Sequence, residues 1–423
     1  MVYGGTGSMV LTLISLHCSS ISDVDGGGAC WEKAAANDLD PTVGGTSCTI
    51  RGTYHALLPP PTSSTTRQTT TMTTTVCVTG GSGFLGGHIV KMLLEKGGFA
   101  VRATTRQRAK AQFLEKFPGA ADKLTIVDGC DFDNPASFDR AIEGCDAVIH
   151  CASPFFNAQG TRDNLVTPAV QGTQLVLDKC DKFGVGKVTL TSSSAAIIVD
   201  YGQKAAASPT GNHTYTSDDW SPADVLEEKK NWYCLSKTLA EKKAWELSKQ
   251  HCYDLCVLNP SLIWGPQTPG QPRLNTSAEA IMSYMDGSRK LIQNGVRCVV
   301  DVRNVAEAHI TPIEKDVGWG KRYALFGGAP HFQETARYIR QALEKSPHPA
   351  AKDMIPLVPT EVNADLEPTI MGPPADKPLL YDCSPAEKEL GIKFRSVEDM
   401  VTSCVEELLN NGFTSTKQYD PFA

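Results

Sequence analysis

Tyr233 and Lys237 stand four residues apart in NWYCLSKTLAEKKAWELSKQ, a stretch rich in helix formers, so both side chains leave one face of a helix. An ammonium beside a phenol favours the phenolate, so Lys237 is expected to lower the tyrosine pKa and make Tyr233 a proton donor near neutral pH. Alone, the spacing would describe no more than a solvated helix face. Ser193 gives it weight, because it follows the strand-like VTLT in the run Ser192-Ser193-Ser194, forty residues ahead of the tyrosine. A hydroxyl there can hydrogen-bond a substrate carbonyl. Three complementary roles follow, in which Ser193 polarises the carbonyl, Tyr233 protonates it, and Lys237 holds a nicotinamide ribose while tuning Tyr233. Hydride would come from the nicotinamide C4. Ser193 is taken as the acting serine of its run.

A dinucleotide needs a cradle, and Thr79-Gly80-Gly81-Ser82-Gly83-Phe84-Leu85-Gly86 supplies one directly after the strand-like VCVT. Gly80 would make the tight turn, Gly83 would let the backbone approach a pyrophosphate, and Gly86 would let the helix pack close to its strand. Phe84 and Leu85 open that helix, whose N-terminal amides would face the phosphates. The second strand ends AVRATTR, with Thr105 where an acid would mark an NAD site and Arg106 just after it. A guanidinium there, with Arg108 and Lys110 close behind, suits a 2′-phosphate and favours NADP(H) over NAD(H). Asp131 and Phe132, after the third strand, are placed to flank the adenine. Cys151, Ala152 and Ser153, after the fourth, are placed beneath the pyrophosphate and ribose. The plainer alternatives are that Arg106, Arg108 and Lys110 solvate a helix start, and that the other residues merely end strands.

These residues need a particular frame. From Thr75 onward β-rich runs (VCVT, AVRATT, LTIVDG, DAVIHCAS, KVTLTSS) alternate with helical patterns, including QRAKAQFLEKF, ASFDRAIEG and a helix over about 164–183. Such alternation forces right-handed crossovers and a parallel sheet covered on both faces, an α/β, doubly wound Rossmann architecture. After residue 262 the rhythm loosens. Proline-rich connections separate helices at about 277–286, 303–314, 332–344 and 396–410, read as a smaller C-terminal substrate-binding lobe over the carboxyl edge of the sheet. The expected division is 73–262 for the NADP-binding domain and 263–415 mainly for the lobe, with some segments returning to the first domain. Residues 1–72 carry glycine runs, PPP at 59–61 and a Ser/Thr tract, and are read as a disordered extension. The apolar MVLTLISL at 9–16 has no Lys or Arg before it, and acids outnumber bases over 1–71, which argues against a targeting peptide. Met72 could be the functional start.

Composition narrows the partners. Of the 423 residues 41% are hydrophobic and 21% charged, with a formal net charge of −7 and no dense Lys/Arg block. That leaves no electrostatic footprint for nucleic acid or an anionic membrane. No apolar run approaches the roughly 20 residues of a membrane-spanning helix. The 14 cysteines are scattered, which fits a reducing, cytoplasmic setting, and the nine histidines form no HxH or HxxxH pair, so no metal is expected. NHT at 212–214 and NTS at 275–277 match a glycosylation pattern by chance, and Trp220 and Trp232 are read as packing residues beside the active-site helix. The oligomeric state is open between monomer and dimer.

From about Thr73 to Phe413 the chain resembles the extended short-chain dehydrogenase/reductases of the NAD-dependent epimerase/dehydratase superfamily. It is similar in particular to the branch of dihydroflavonol 4-reductases, cinnamoyl-CoA reductases and fungal and protist aldehyde/ketone reductases. VCVTGGSGFLG, AVRATTR, HCASP, TLTSS, DDWSP, NWYCLSK, LNPSLIWGP, DVRNVAEAH and SPAEKELGIKFRSVEDMV carry the likeness. The resemblance implies that Pro260 to Ile263 line the nicotinamide and that the lobe shapes the substrate pocket. It also exposes departures. The His and Lys that help seat CoA in cinnamoyl-CoA reductases fall on Ala280 and Ser283, leaving Arg303 alone of that set, and the dihydroflavonol-selecting Asn or Asp falls on Ile198. What remains is an NADPH-dependent reductase of a simple aldehyde or ketone. Its rivals are cinnamoyl-CoA or dihydroflavonol reduction, a sugar-nucleotide epimerase or dehydratase, and a non-catalytic NADP(H) sensor.

Overall fold

The computed structural model describes residues 73–153, 160–200, 202–208, 213–363 and 380–418. All belong to one compact unit, Thr66–Ala423. The expectation of disorder over 1–72 and the NHT pattern at 212–214 lie wholly or partly outside the described residues.

Seven strands form the central sheet: β1 Thr74–Thr79, β2 Phe99–Thr104, β3 Leu124–Val127, β4 Ala147–His150, β5 Lys187–Thr191, β6 Asp254–Pro260 and β7 Lys321–Leu325. Their order is β3-β2-β1-β4-β5-β6-β7, and every pair is parallel, with Val76 opposite Val101 on one side and Ala147 on the other. Cys77, Val78, Val148, Ile149, Leu255 and Val257 are buried, as strands covered on both faces must be. The fold is therefore the doubly wound α/β sheet that the alternation implies.

Helices of eight or more residues are α1 Phe84–Lys96, α2 Arg162–Lys182, α3 Trp232–Ser248, α4 Thr276–Met285, α5 Val302–Lys315, α6 Phe332–Lys345 and α7 Val397–Asn410. On one face α1 and α5 pack against the sheet through Ile89, Leu93, Val305 and Ile310; α2 and α3 pack side by side on the other. A second core, around Trp264, Ile281, Met282, Ile339, Val401 and Leu408, joins α4, α6 and α7. A two-stranded parallel ribbon, Leu262–Trp264 with Val299–Asp301, links the two cores.

Two expected helices differ. Residues 107–117 form two short 3-10 turns, Arg108–Lys110 and Gln112–Lys116, separated at Ala111, whose ψ of −4° leaves the helical range. ASFDRAIEG likewise divides into a 3-10 turn, Pro135–Phe138, and one α-turn, Asp139–Ile142, a crossover with too few residues to extend a longer helix.

Candidate active site

Because all the strands are parallel, their carboxyl ends, Thr79, Thr104, His150, Thr191 and Pro260, share one edge, the place where ligands of such sheets bind. At the end of β1 the chain turns through Gly80 at φ +70°, a conformation that L side chains avoid. A Cβ on Gly80 would lie 3.1 Å from the Ala152 backbone, and one on Gly86 would strike the Gly80 carbonyl. Gly81, whose Cβ would sit 2.7 Å from that of Ala103, is equally constrained, though its position in the motif implied no role. The turn is thus held by close backbone contacts that side chains at these positions would break. Gly83 caps α1 with no side-chain hydrogen bond and no acid in the first turn, so nothing neutralises the partial positive charge that suits a phosphate.

One hydroxyl ties this turn to β4. Thr79 Oγ1 accepts the N–H groups of Cys151 (3.2 Å) and Ala152 (3.1 Å), so its proton goes to His150 Nδ1 at 2.7 Å. Ser153, next along, accepts a hydrogen bond from Lys237 Nζ at 2.9 Å. The strand end beneath the cradle and the candidate catalytic lysine are therefore in direct contact.

The residues of the candidate triad converge. Asn231 caps α3 by accepting the Cys234 N–H at 3.3 Å, which fixes the first turn holding Tyr233. The tyrosine hydroxyl hydrogen-bonds Ser193, and Lys237 Nζ lies 6.0 Å from the Tyr233 ring centre. The three serines separate by environment. Ser192 and Ser194 are buried, and the Ser192 hydroxyl donates to Glu241 at 2.6 Å, so only Ser193 is open to the site.

Beneath the triad lies a network that sequence reasoning missed. Glu241 stands four residues beyond Lys237 on the same face of α3 and is buried; its Oε2 accepts from Ser192 and from Asn259 Nδ2 (2.7 Å), its Oε1 from Trp245 Nε1 (3.3 Å) and Arg322 Nε (2.5 Å). Asn259 Nδ2 also donates to the Ser193 carbonyl at 3.2 Å. One carboxylate therefore locks α3, β5, β6 and β7 together under the site. Its spacing from Lys237 was the available signal. Arg322 lies with its guanidinium 3.7 Å from the Trp220 ring centre, so Trp220 packs on that cation.

The remaining expected residues divide. Arg106 is exposed past the end of β2, Arg108 pairs with Glu115 at 2.6 Å, and Lys110 borders a cavity beside the glycine turn. The Asp131 carboxylate accepts the Asp133 N–H at 3.1 Å. Phe132 packs inward, stacked on Phe138 at 5.3 Å and against Gly172. Leu85 is core, and Phe84 lies edge-on to His88. Pro260 ends β6 buried, while Ile263 is half-buried in the ribbon. Among the described residues no group of three or more His, Cys, Asp or Glu could hold a metal ion, and no helix is long and apolar enough to cross a membrane.

Known proteins share this framework. The model of the 3-beta hydroxysteroid dehydrogenase/isomerase family matches residues 77–316. The chain belongs to that family, within the extended short-chain dehydrogenase/reductases. Cinnamoyl-CoA reductase 1 of Arabidopsis thaliana is 32% identical over 338 residues, 79% of this chain and 89% of the relative. Gre2 of Candida albicans, solved with NADPH, is 30% identical with a TM-score of 0.65, covering 80% of this chain and 99% of its own. The yeast methylglyoxal/isovaleraldehyde reductase Gre2, also solved with NADPH, is 26% identical with the same TM-score, covering 80% and 99%.

Within this extended short-chain dehydrogenase/reductase, electrostatics correct one expectation. Burial pushes the Tyr233 hydroxyl up to about 12, against the pull of its Ser193 hydrogen bond and of the positive charge of Arg297. Loss of hydration, rather than the neighbouring ammonium, dominates this phenol. Burial also brings Lys237 down to about 8. Arg297, from the chain just before the ribbon, is a further cation at the site that the sequence did not single out. Arg303 is committed internally, with two hydrogen bonds to Asp301 (2.8 and 2.6 Å) and others to Asp399 and Ser403. Ser283 is buried and bonded to the Ala280 carbonyl, and Ile198 packs in a core with Tyr215 and Phe326. Asn275 of the NTS pattern caps α4 and donates to Gln267.

Proposed function

We propose that this protein is an NADPH-dependent reductase that converts the carbonyl of a small aldehyde or ketone to an alcohol, with Ser193, Tyr233 and Lys237 as its catalytic residues. The observation that carries the reading is the contact chain at the sheet edge, in which Ser193 meets Tyr233 and Lys237 meets Ser153 beside the glycine turn. The tight glycine turn of Gly80, Gly81, Gly83 and Gly86 at the N-terminus of α1 suits a pyrophosphate, and Arg106 and Lys110 suit a 2′-phosphate. Asp131, Phe132 and Cys151 to Ser153 would border the adenosine and ribose, and Pro260 to Ile263 the nicotinamide. Bound NADPH supplies hydride from C4 of its nicotinamide.

The protein's own part is to fix the carbonyl and deliver a proton. Ser193 donates a hydrogen bond to the carbonyl oxygen, and Tyr233, protonated at neutral pH, transfers its hydroxyl proton to that oxygen as negative charge develops. The Lys237 ammonium stabilises the phenolate left behind. We take residues 263–415, with their own core, as the main wall on the substrate side, from which β7 and α5 return to the sheet. The eleven described cysteines are all free thiols, which accords with a cytoplasmic setting.

A second reading is reduction of a CoA thioester, favoured by the names of the curated relatives. Against it stand the apolar and internally bonded side chains at Ala280, Ser283 and Arg303. Absorbance assays of NADPH oxidation with aldehydes, ketones, a dihydroflavonol and cinnamoyl-CoA separate these readings. Turnover of a simple carbonyl that falls by roughly 10²-fold or more in Tyr233→Phe is the expected result. Turnover of CoA thioesters alone would overturn the substrate class, and NADPH binding without any turnover would favour the sensor.

A further inference from the structure

Beside the glycine turn lies a cavity of about 250 Å³, bordered by Ser82, by Gln107 and Lys110 beyond β2, and by Gln271 and Arg273 from the segment between the ribbon and α4. Its size falls below the roughly 300–1,000 Å³ that houses a whole drug-sized ligand, which suits one end of a dinucleotide. Among the described residues no acidic side chain borders it, whereas Lys110 and Arg273 bring positive charge.

Gln271 is the anomaly. It is 3% exposed, yet neither its amide nitrogen nor its amide oxygen has a hydrogen-bond partner. Buried amides left open in this way carry a standing cost. The backbone there is ordered, since Gln271 N–H donates to the Thr268 carbonyl at 3.0 Å. The same segment shows what a satisfied glutamine looks like: Gln267 Nε2 donates to the Arg273 carbonyl (3.0 Å) and its Oε1 accepts from Asn275 (2.8 Å). A bonded amide and an unbonded one, four residues apart, single out Gln271 among the polar groups at the border of this cavity.

We propose that Gln271 closes the 2′-phosphate end of the NADP(H) site from the side opposite β2. The amide N–H donates to the phosphate, and the amide oxygen accepts from the neighbouring ribose hydroxyl. The phosphate is thus held between Arg106 and Lys110 on one side and the 265–275 segment on the other, and selectivity for NADP(H) is shared between parts of the chain distant in sequence. This rests on the cofactor reading given above.

Dissociation constants for NADPH, NADH and 2′,5′-ADP, measured by calorimetry on the full chain, test it in the wild type, Gln271→Ala and Gln271→Glu. Gln271→Ala is expected to weaken NADPH and 2′,5′-ADP by about tenfold or more, while NADH, which loses only the ribose contact, weakens by about threefold. Gln271→Glu is expected to weaken NADPH further, because a carboxylate then faces the phosphate. The unliganded Ala variant should melt no lower than wild type, since it removes two unbonded buried atoms, while its stabilisation by NADPH shrinks. Unchanged NADPH affinity in both variants, or equal losses for NADPH and NADH, would overturn the proposal. A wild-type protein that binds no dinucleotide would overturn the cofactor reading and this proposal with it.

Discussion

Lys237 is a lysine whose charge is under strain at physiological pH. Burial brings it down to about 8, while Tyr233 is pushed up to about 12. Near neutrality, then, the phenol is protonated and the lysine charged, which is the combination carbonyl reduction requires. As pH rises through about 8 the ammonium is lost first. We expect kcat for reduction, at saturating NADPH, to bend downward near pH 8; in Lys237→Arg the bend should vanish, because a guanidinium does not titrate there. A profile flat to pH 10 in the wild type would contradict this assignment. At this scale the residues proposed as catalytic could be named from the sequence, because YxxxK and the serine run have fixed spacing. Gln271, Arg297 and Arg322 were not, because each acts across more than thirty positions of sequence and becomes significant only through what it meets.

Elements are held by polar groups as much as by apolar faces. Glu241 accepts four hydrogen bonds under the site, and Arg322 is its buried cation, with side chains 0% and 10% exposed. Replacing Glu241 by Ala leaves Arg322 without its counter-charge and should destabilise the protein by about 3–5 kcal/mol in urea unfolding. Glu241→Gln keeps the shape and should cost less; it should still lower kcat/KM, since the Asn259 bond that holds the Ser193 backbone loses its charged partner. A loss below about 1 kcal/mol in the Ala variant would refute the anchoring role. Apolar periodicity read the long helices to within a residue or two: about 164–183 is Arg162–Lys182, and 396–410 is Val397–Asn410. It failed over 107–117, where Phe113, Leu114 and Phe117 do face the core but the turns are 3-10. Burial pattern there reports which side faces in, not how tightly the chain winds.

At the scale of the whole molecule, three histidines are built in as neutral residues. His88 donates to the Pro266 carbonyl, His150 accepts from Thr79, and His309 donates Nδ1–H to the Val305 carbonyl while accepting from Thr191. Burial lowers them to about 4, 3 and 4 from 6.5. The unfolded chain therefore binds protons that the folded one refuses, so stability is intact above about 6.5 and declines as pH falls toward 4. Each histidine should subtract about 1.4 kcal/mol per pH unit in that window. Urea midpoints at pH 7, 6 and 5 check this, and a midpoint unchanged down to pH 5 would refute it. The parallel sheet itself was legible from the alternation of runs. Its last two strands were not: Asp254–Pro260 lies beyond the alternating runs, and Lys321–Leu325, which pairs with the open edge of β6, opens with two cations and holds only three buried residues.

That late strand governs the order in which the molecule can be completed. Arg322 lies on β7, some eighty positions beyond the glutamate it neutralises, and the sheet edge that receives it is β6. A chain growing from its N-terminus lays down the glycine turn, the serine run and the catalytic helix well before that arginine exists. Until β7 docks, Glu241 has its bonds from Ser192, Asn259 and Trp245 but no counter-charge, a buried carboxylate that favours a loosely held helix over a finished one. Catalytic competence would therefore be among the last properties acquired during synthesis, and a nascent or truncated chain could hold the whole dinucleotide cradle while having no working proton donor.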